Sequence, residues 1–197
     1  MSTRIRSILL AFVLAGCVRP APAPTQDLDG PEPPASAIVS TQPIIAPPSG
    51  KDVAAAAAEY IGVREATGHN DGPVVEYFLA NTGLGKGYAW CGSFAYTAYK
   101  EAGIRPPGKP SAYAWVPTWF ADTERLVPVK EAEPGDVGGI YFRSLGRMAH
   151  LFVVEAVDGD NITTVEGNTN DKLSRDGDGV YRKRRKAGTI KAAARWW

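Results

Sequence analysis

The chain has 197 residues, room for one ordinary domain with extensions, and a formal net charge of +1. So balanced a charge gives no global electrostatic case for nucleic acid. Nine of the sixteen prolines lie between Val18 and Gly50, which separates a tail from a folded part.

The chain opens with Arg4 and Arg6 before an apolar run from Ile8 to Leu14. This run is too short to span a bilayer and has the order of a secretory signal, basic and then apolar. It ends in Leu14-Ala15-Gly16-Cys17, which resembles the bacterial lipobox. The resemblance implies lipidation of Cys17 and a membrane anchor held by more than one acyl chain. With Val18 after the cysteine and not Asp, it also implies the outer membrane, facing the periplasm. Residues 18–50 follow as a Pro/Ala-rich linker whose extended conformations give reach without a core. Residues 51–197 are the folded domain.

Within that domain, Val53, Ala57, Tyr60 and Ile61 give Lys51–Gly62 a helical stripe. Asp71 is placed to cap a second helix, Pro73 suits its first turn, and Val74, Val75, Phe78 and Leu79 are its apolar face. Asn81 to Gly87 breaks it. A third helix starts at Cys91 and stops near Gly103. Pro110 to Asp122 is aromatic, with a short helix expected from Ala114. Core packing accounts for most of these rings, and Trp115 is the candidate to line a groove. The period then changes. Val137–Phe142, His150–Val157, Ile162–Glu166 and Gly179–Arg184 read as strands. Helices followed by antiparallel strands predict an α+β fold with the helices packed on the sheet.

Cys91 stands at a helix N-terminus, where unpaired N–H groups and the macrodipole stabilise a thiolate. Cys17 is committed to the lipobox, so a disulfide between the two cysteines is not expected. With one free cysteine and two histidines, His69 and His150, a closed zinc site is not expected, and no cofactor is implied. A thiolate nucleophile needs a base, and the base an orienting group. His150 at a strand start is the base, whereas His69 reads as a solvated loop residue. Glu166 and Asn168 lie on the next strand. If Asp158–Asp160 is a three-residue loop, His150 faces Asn168, with Glu166 as the same-face diagonal neighbour. A two-residue loop turns both to the opposite face unless a bulge restores the parity.

From Val53 onward the chain resembles the CHAP domain, the cysteine- and histidine-dependent amidohydrolase/peptidase module of peptidoglycan hydrolases, in the papain-like and NlpC/P60-like group. The matching pieces are Gly62-Val63-Arg64-Glu65, Asn70-Asp71-Gly72-Pro73, Trp90-Cys91-Gly92-Ser93-Phe94, Pro134-Gly135-Asp136, His150-Leu151-Phe152-Val153-Val154 and Glu166-Gly167-Asn168-Thr169-Asn170, then Asp176 to Tyr181. The resemblance implies Cys91 as nucleophile, His150 as general base and acid, Glu166 orienting His150, and Asn168 as a fourth polar member. It implies no metal. Asp176-Gly177-Asp178-Gly179 lacks the distal Glu of an EF-hand loop and reads as a turn. Two departures stand out: Trp90 where many members carry Gln, and Phe152 where a small residue is usual. Both are candidate substrate contacts.

The activity implied is hydrolysis of a peptidoglycan amide through an acyl-enzyme, by an envelope-anchored monomer. The alternatives are an NlpC/P60-type endopeptidase on another amide, and a wall-binding lipoprotein without activity. The first often uses a second histidine, and His69 lies upstream of Cys91, which argues against it. The basic run Arg182–Lys186, with Lys191 and Arg195, reads either as a solvated strand face or as an attraction for carboxylate-rich wall peptides.

Overall fold

The computed structural model describes residues 46–171 and 177–197. Cys17, with the lipobox and signal segment expected there, most of the expected linker, and Asp176 lie outside the described residues. No described helix is long and apolar enough to cross a membrane.

Three helices come first. Helix α1, Gly50–Ala58, buries Val53, Ala54 and Ala57. Its start is closed by Asp52, whose carboxylate accepts from the Ser49 N–H at 2.8 Å. Helix α2, Pro73–Asn81, has Pro73 in its first turn as the sequence predicts. Its capping differs from the expectation. Gly72 occupies the cap at φ 108°, and Asp71 instead accepts from the N–H and hydroxyl of Thr67 at 2.9 and 2.8 Å. The acid therefore tightens the 67–71 loop and caps no helix. Helix α3, Cys91–Glu101, buries every residue from Cys91 to Tyr99. A helix covered on all sides belongs at the centre of a domain. It packs between α1 and α2 on one side and the sheet on the other.

The aromatic stretch forms two 3₁₀ turns, Pro110–Ala114 and Val116–Phe120, and not the single helix from Ala114 that was expected. Proline in each first turn and crowding by Tyr113 and Trp119 favour short, tight pieces. The Trp119 indole donates to Tyr113 O at 2.8 Å.

Six antiparallel strands follow: β1 Leu126–Val127, β2 Val137–Phe142, β3 Arg147–Asp158, β4 Asn161–Thr169, β5 Gly179–Lys186 and β6 Ala192–Ala194. Their order is β1-β6-β2-β3-β4-β5. This is the α+β arrangement the sequence predicts, helices on an antiparallel sheet. The two short strands β1 and β6 were not legible. Strand alternation builds both faces of the sheet. Leu151, Val153 and Val165 join the helices in the main core, while Phe152, Val154 and Ile162 form a smaller cluster with Ala187, Ile190 and Ala193.

Gly167 brings β4 onto α3, because a Cβ there would lie 2.6 Å from Phe94 Cγ and 2.7 Å from the Trp90 ring. Pro134-Gly135-Asp136 has a structural role. Fully buried Asp136 accepts from Arg195 Nε and Nη2, both at 2.9 Å, and from the Trp197 indole at 3.0 Å. These bonds fasten the C-terminal residues to the start of β2.

Candidate active site

Cys91 and His150 are carried by α3 and β3, two elements that pack together. The first intrahelical bond runs from Phe94 N to Trp90 O at 2.8 Å, so the N–H groups of Cys91, Gly92 and Ser93 precede the helical ladder. Burial pushes the Cys91 thiol up, but the hydrogen bond and charge of His150 outweigh it, helped by the N–H groups of Leu151 and Gly92. The net direction is down, toward a thiolate. Gly92 allows this helix start: a Cβ there would sit 2.5 Å from Tyr113 O and 2.7 Å from Ala114 O.

The hairpin supplies the rest through a bulge. Its loop is the two-residue Gly159–Asp160, since Asp158 pairs with Asn161. Val157 pairs with Ile162 and Ala156 with Thr163, but Val154 pairs with Thr164 and Val153 with Val165. Glu155 is the extra residue. It restores the parity that the short loop loses, the second of the two arrangements the sequence left open. His150 Nε2 therefore meets Glu166 Oε2 at 2.9 Å across the diagonal. That contact leaves Nδ1 as the ring nitrogen for the thiol.

Glu166 is wholly buried and fully engaged. Its Oε1 accepts from the Thr164 hydroxyl at 2.7 Å and from Arg185 Nε at 2.5 Å, and its Oε2 from Arg185 Nη2 at 2.6 Å. Burial pushes the carboxyl up, yet the bonds from His150 and Arg185 hold it at about 2. Burial pulls His150 down, and its bonds to Cys91 and Glu166 raise it to about 9. Thiol, imidazole, carboxylate and guanidinium thus form one largely buried chain in which each group favours the charged form of its neighbour.

Arg185 was missed by sequence reasoning, which took Arg182–Lys186 as one basic face. Strand parity divides that run. Arg182, Arg184 and Lys186 point outward, toward Glu155, Asp158 and Asn161. Lys183 and Arg185 point into the cavity that holds Cys91 and His150. The signal available in the sequence was the period of two.

Asn168 does not serve His150. At φ 54° it leaves the β4 ladder, and its side chain accepts from Trp90 N at 3.1 Å and donates to Asn70 Oδ1 at 3.0 Å and Glu65 Oε1 at 3.4 Å. It fixes Trp90, the residue before Cys91. Glu65, whose part was not foreseen, ties this group together: it also accepts from the Trp90 indole at 2.8 Å and from Asn70 N at 2.9 Å.

Two of the three proposed substrate contacts are corrected. Trp90 is fully buried, stacked on Phe78 with centroids 5.6 Å apart, so it packs in the core. Phe152 is fully buried beside His150 and beneath Arg185, and acts as their floor. Trp115 is 52% exposed and lines a cavity with Cys91. His69 is exposed and borders a separate recess with Asn70 and Asn168. Among the described residues no group of three or more His, Cys, Asp or Glu is placed to hold a metal.

Residues 83–168 match the CHAP domain family. Among solved structures, the crystal structure of the NlpC/p60 domain of peptidoglycan hydrolase SagA aligns over 75% of this chain and 98% of that chain, at 20% identity and a TM-score of 0.43. No curated protein matches the chain.

Proposed function

With a CHAP domain over residues 83–168 as the premise, we propose that the protein is a cysteine-dependent hydrolase of cell-wall amides. The observation that carries this reading is the buried chain from Cys91 through His150 and Glu166 to Arg185. A helix-start cysteine with a lowered pKa, paired with a histidine raised to about 9, is an ion pair poised for attack. Cys91 attacks the amide carbonyl and forms a tetrahedral oxyanion. Backbone N–H groups at the start of α3 stabilise it, each donor worth roughly 3 kcal/mol. The oxyanion collapses to a thioester as His150 gives its proton to the leaving amine. His150 then takes a proton from water, which attacks the thioester and releases the acid.

The substrate in this reading is peptidoglycan, and the bond is a muramoyl–alanine amide or an amide of the stem peptide. The address comes from the lipobox: lipid on Cys17 and a long linker would hold the domain in the envelope, within reach of the wall. Digestion of purified walls by the wild type and by Cys91→Ala tests the chemistry. Release of soluble fragments should fall by about 10³-fold or more in the variant; equal release overturns the cysteine mechanism. Mass spectrometry of the fragments names the bond.

A further inference from the structure

Strand β2 turns into β3 through Arg143–Leu145, closed by Gly146 at φ 62°, with Phe142 paired to Arg147. The apolar side chains of this tip face water. Leu145 is 54% exposed, and Tyr141 and Phe142 beside it are exposed as well. The charge around them has one sign, because residues 137–154 and 179–197 contain no Asp or Glu. Arg143 and Lys191 line one recess with Tyr141 and Thr189. Neither cationic side chain has a hydrogen-bond or ion-pair partner among the described residues. The same tip forms part of the cleft. Phe142 lines the cavity that holds Cys91 and His150, and Arg147 lines the neighbouring cavity of Cys91 and Trp115.

Exposed apolar groups that cluster in this way mark a surface that something covers. The two kinds of side chain together select the cover. A neutral saccharide could stack on a ring, but it leaves Arg143 and Lys191 without a partner and gains no hydrogen bond from Leu145. An acidic polymer in water pairs with the cations and leaves Phe142 and Leu145 wet. A second copy of this chain, meeting the same patch about a two-fold axis, sets like charges against each other. A bilayer with anionic headgroups serves both kinds at once. Leucine and phenylalanine enter the acyl boundary, tyrosine sits at the headgroup level, and each cation near the surface adds attraction to phosphate. Lipid on Cys17, as the lipobox implies, would keep such a surface within reach.

We propose that the β2–β3 tip docks on an anionic lipid surface, with Leu145 and Phe142 at the acyl boundary and Arg143 and Lys191 on headgroup phosphates, and that docking covers the mouth of the cleft at Cys91. The shared walls couple the two events: Phe142 and Arg147 cannot meet the bilayer without bringing the cavity openings against it.

Two readouts test this, and neither depends on turnover. The first uses the full chain with Cys17→Ser, Cys91→Ala and Leu145→Cys, whose single cysteine carries a polarity-sensitive fluorophore. The probes are vesicles of phosphatidylcholine mixed with phosphatidylglycerol in equal parts, and vesicles of phosphatidylcholine alone. Emission should shift to the blue on the anionic vesicles, and brominated acyl chains should quench it. Adding Arg143→Gln and Lys191→Gln should raise the lipid concentration at half-shift by about tenfold or more. The second readout uses Cys17→Ser with Cys91 intact. Anionic vesicles should slow iodoacetamide alkylation of Cys91 several-fold, and Leu145→Asp should remove the slowing. The apolar run Ile8–Leu14 is common to every variant, so both readouts are taken within the folded domain. No shift on anionic vesicles, an equal shift on phosphatidylcholine alone, or a shift on purified walls in place of vesicles overturns the docking. Alkylation as fast with anionic vesicles as without, or slowing that survives Leu145→Asp, overturns the covering of the cleft.

Discussion

Cys91, His150, Glu166 and Arg185 form one chain at the wall of a cavity, and each has a measurable signature. Burial alone pushes Cys91 up, so its lowered pKa depends on His150. Iodoacetamide labelling of the wild type should begin well below pH 8, and His150→Ala should move the midpoint up by at least about one unit. Arg185 acts on His150 through Glu166. Arg185→Met should lower kcat by roughly tenfold or more, shift the pH profile, and be partly restored by Arg185→Lys. Glu166 falls from 4.5 to about 2 on folding, so its stabilisation is complete above pH 4.5 and lost as the pH falls through about 2. His150 rises from 6.5 to about 9, so its share is complete below pH 6.5 and lost as the pH rises through about 9. Melting temperature against pH should fall on both sides of that window, and Glu166→Gln should remove the acid-side fall. The pairing of Cys91 with His150 was legible because their residue types are rare in this chain. Arg185 was hidden in a run of five cations, and Glu65 lies 103 positions from its partner Asn168.

Elements meet here through a few close approaches. Gly167 lets β4 touch the Trp90 and Phe94 rings on α3. Gly167→Ala should destabilise the fold by about 1–3 kcal/mol in chemical denaturation, because the rings have little room to retreat. The Glu65–Asn168–Trp90 link holds the turn that delivers Cys91. Asn168→Ala should reduce kcat far more than it raises KM, while leaving the labelling pH of Cys91 nearly unchanged, since Asn168 does not contact His150. The long strands and buried helix faces were legible from their periods. Strands β1 and β6 were not, because two or three residues such as Leu126-Val127 or Ala192-Ala194 carry no readable alternation. The 3₁₀ turns escaped for a related reason: their aromatic spacing satisfies several periods at once.

At the scale of the whole chain, the last three residues close the domain. Asp136 is buried, and Arg195 and Trp197 satisfy it from 59 and 61 positions away. Removing residues 195–197 would strip that buried carboxylate of its cation and leave it the Glu133 N–H at 2.8 Å, at a cost of about 3–5 kcal/mol. A marked drop in melting temperature, with wall digestion retained below it, is the expected result. The α+β architecture followed from helix signals giving way to strand signals, whereas this long-range fastening had no local signature.

The extra residue at Glu155 works as a frame correction. Deleting Glu155 alone, or adding one residue to the Gly159–Asp160 turn alone, should turn His150 away from Glu166 and silence the site. Both changes together should restore it. An activity lost in two single-residue length changes and recovered in their combination would mean that the hairpin encodes its chemistry as a count of residues as well as in their identity.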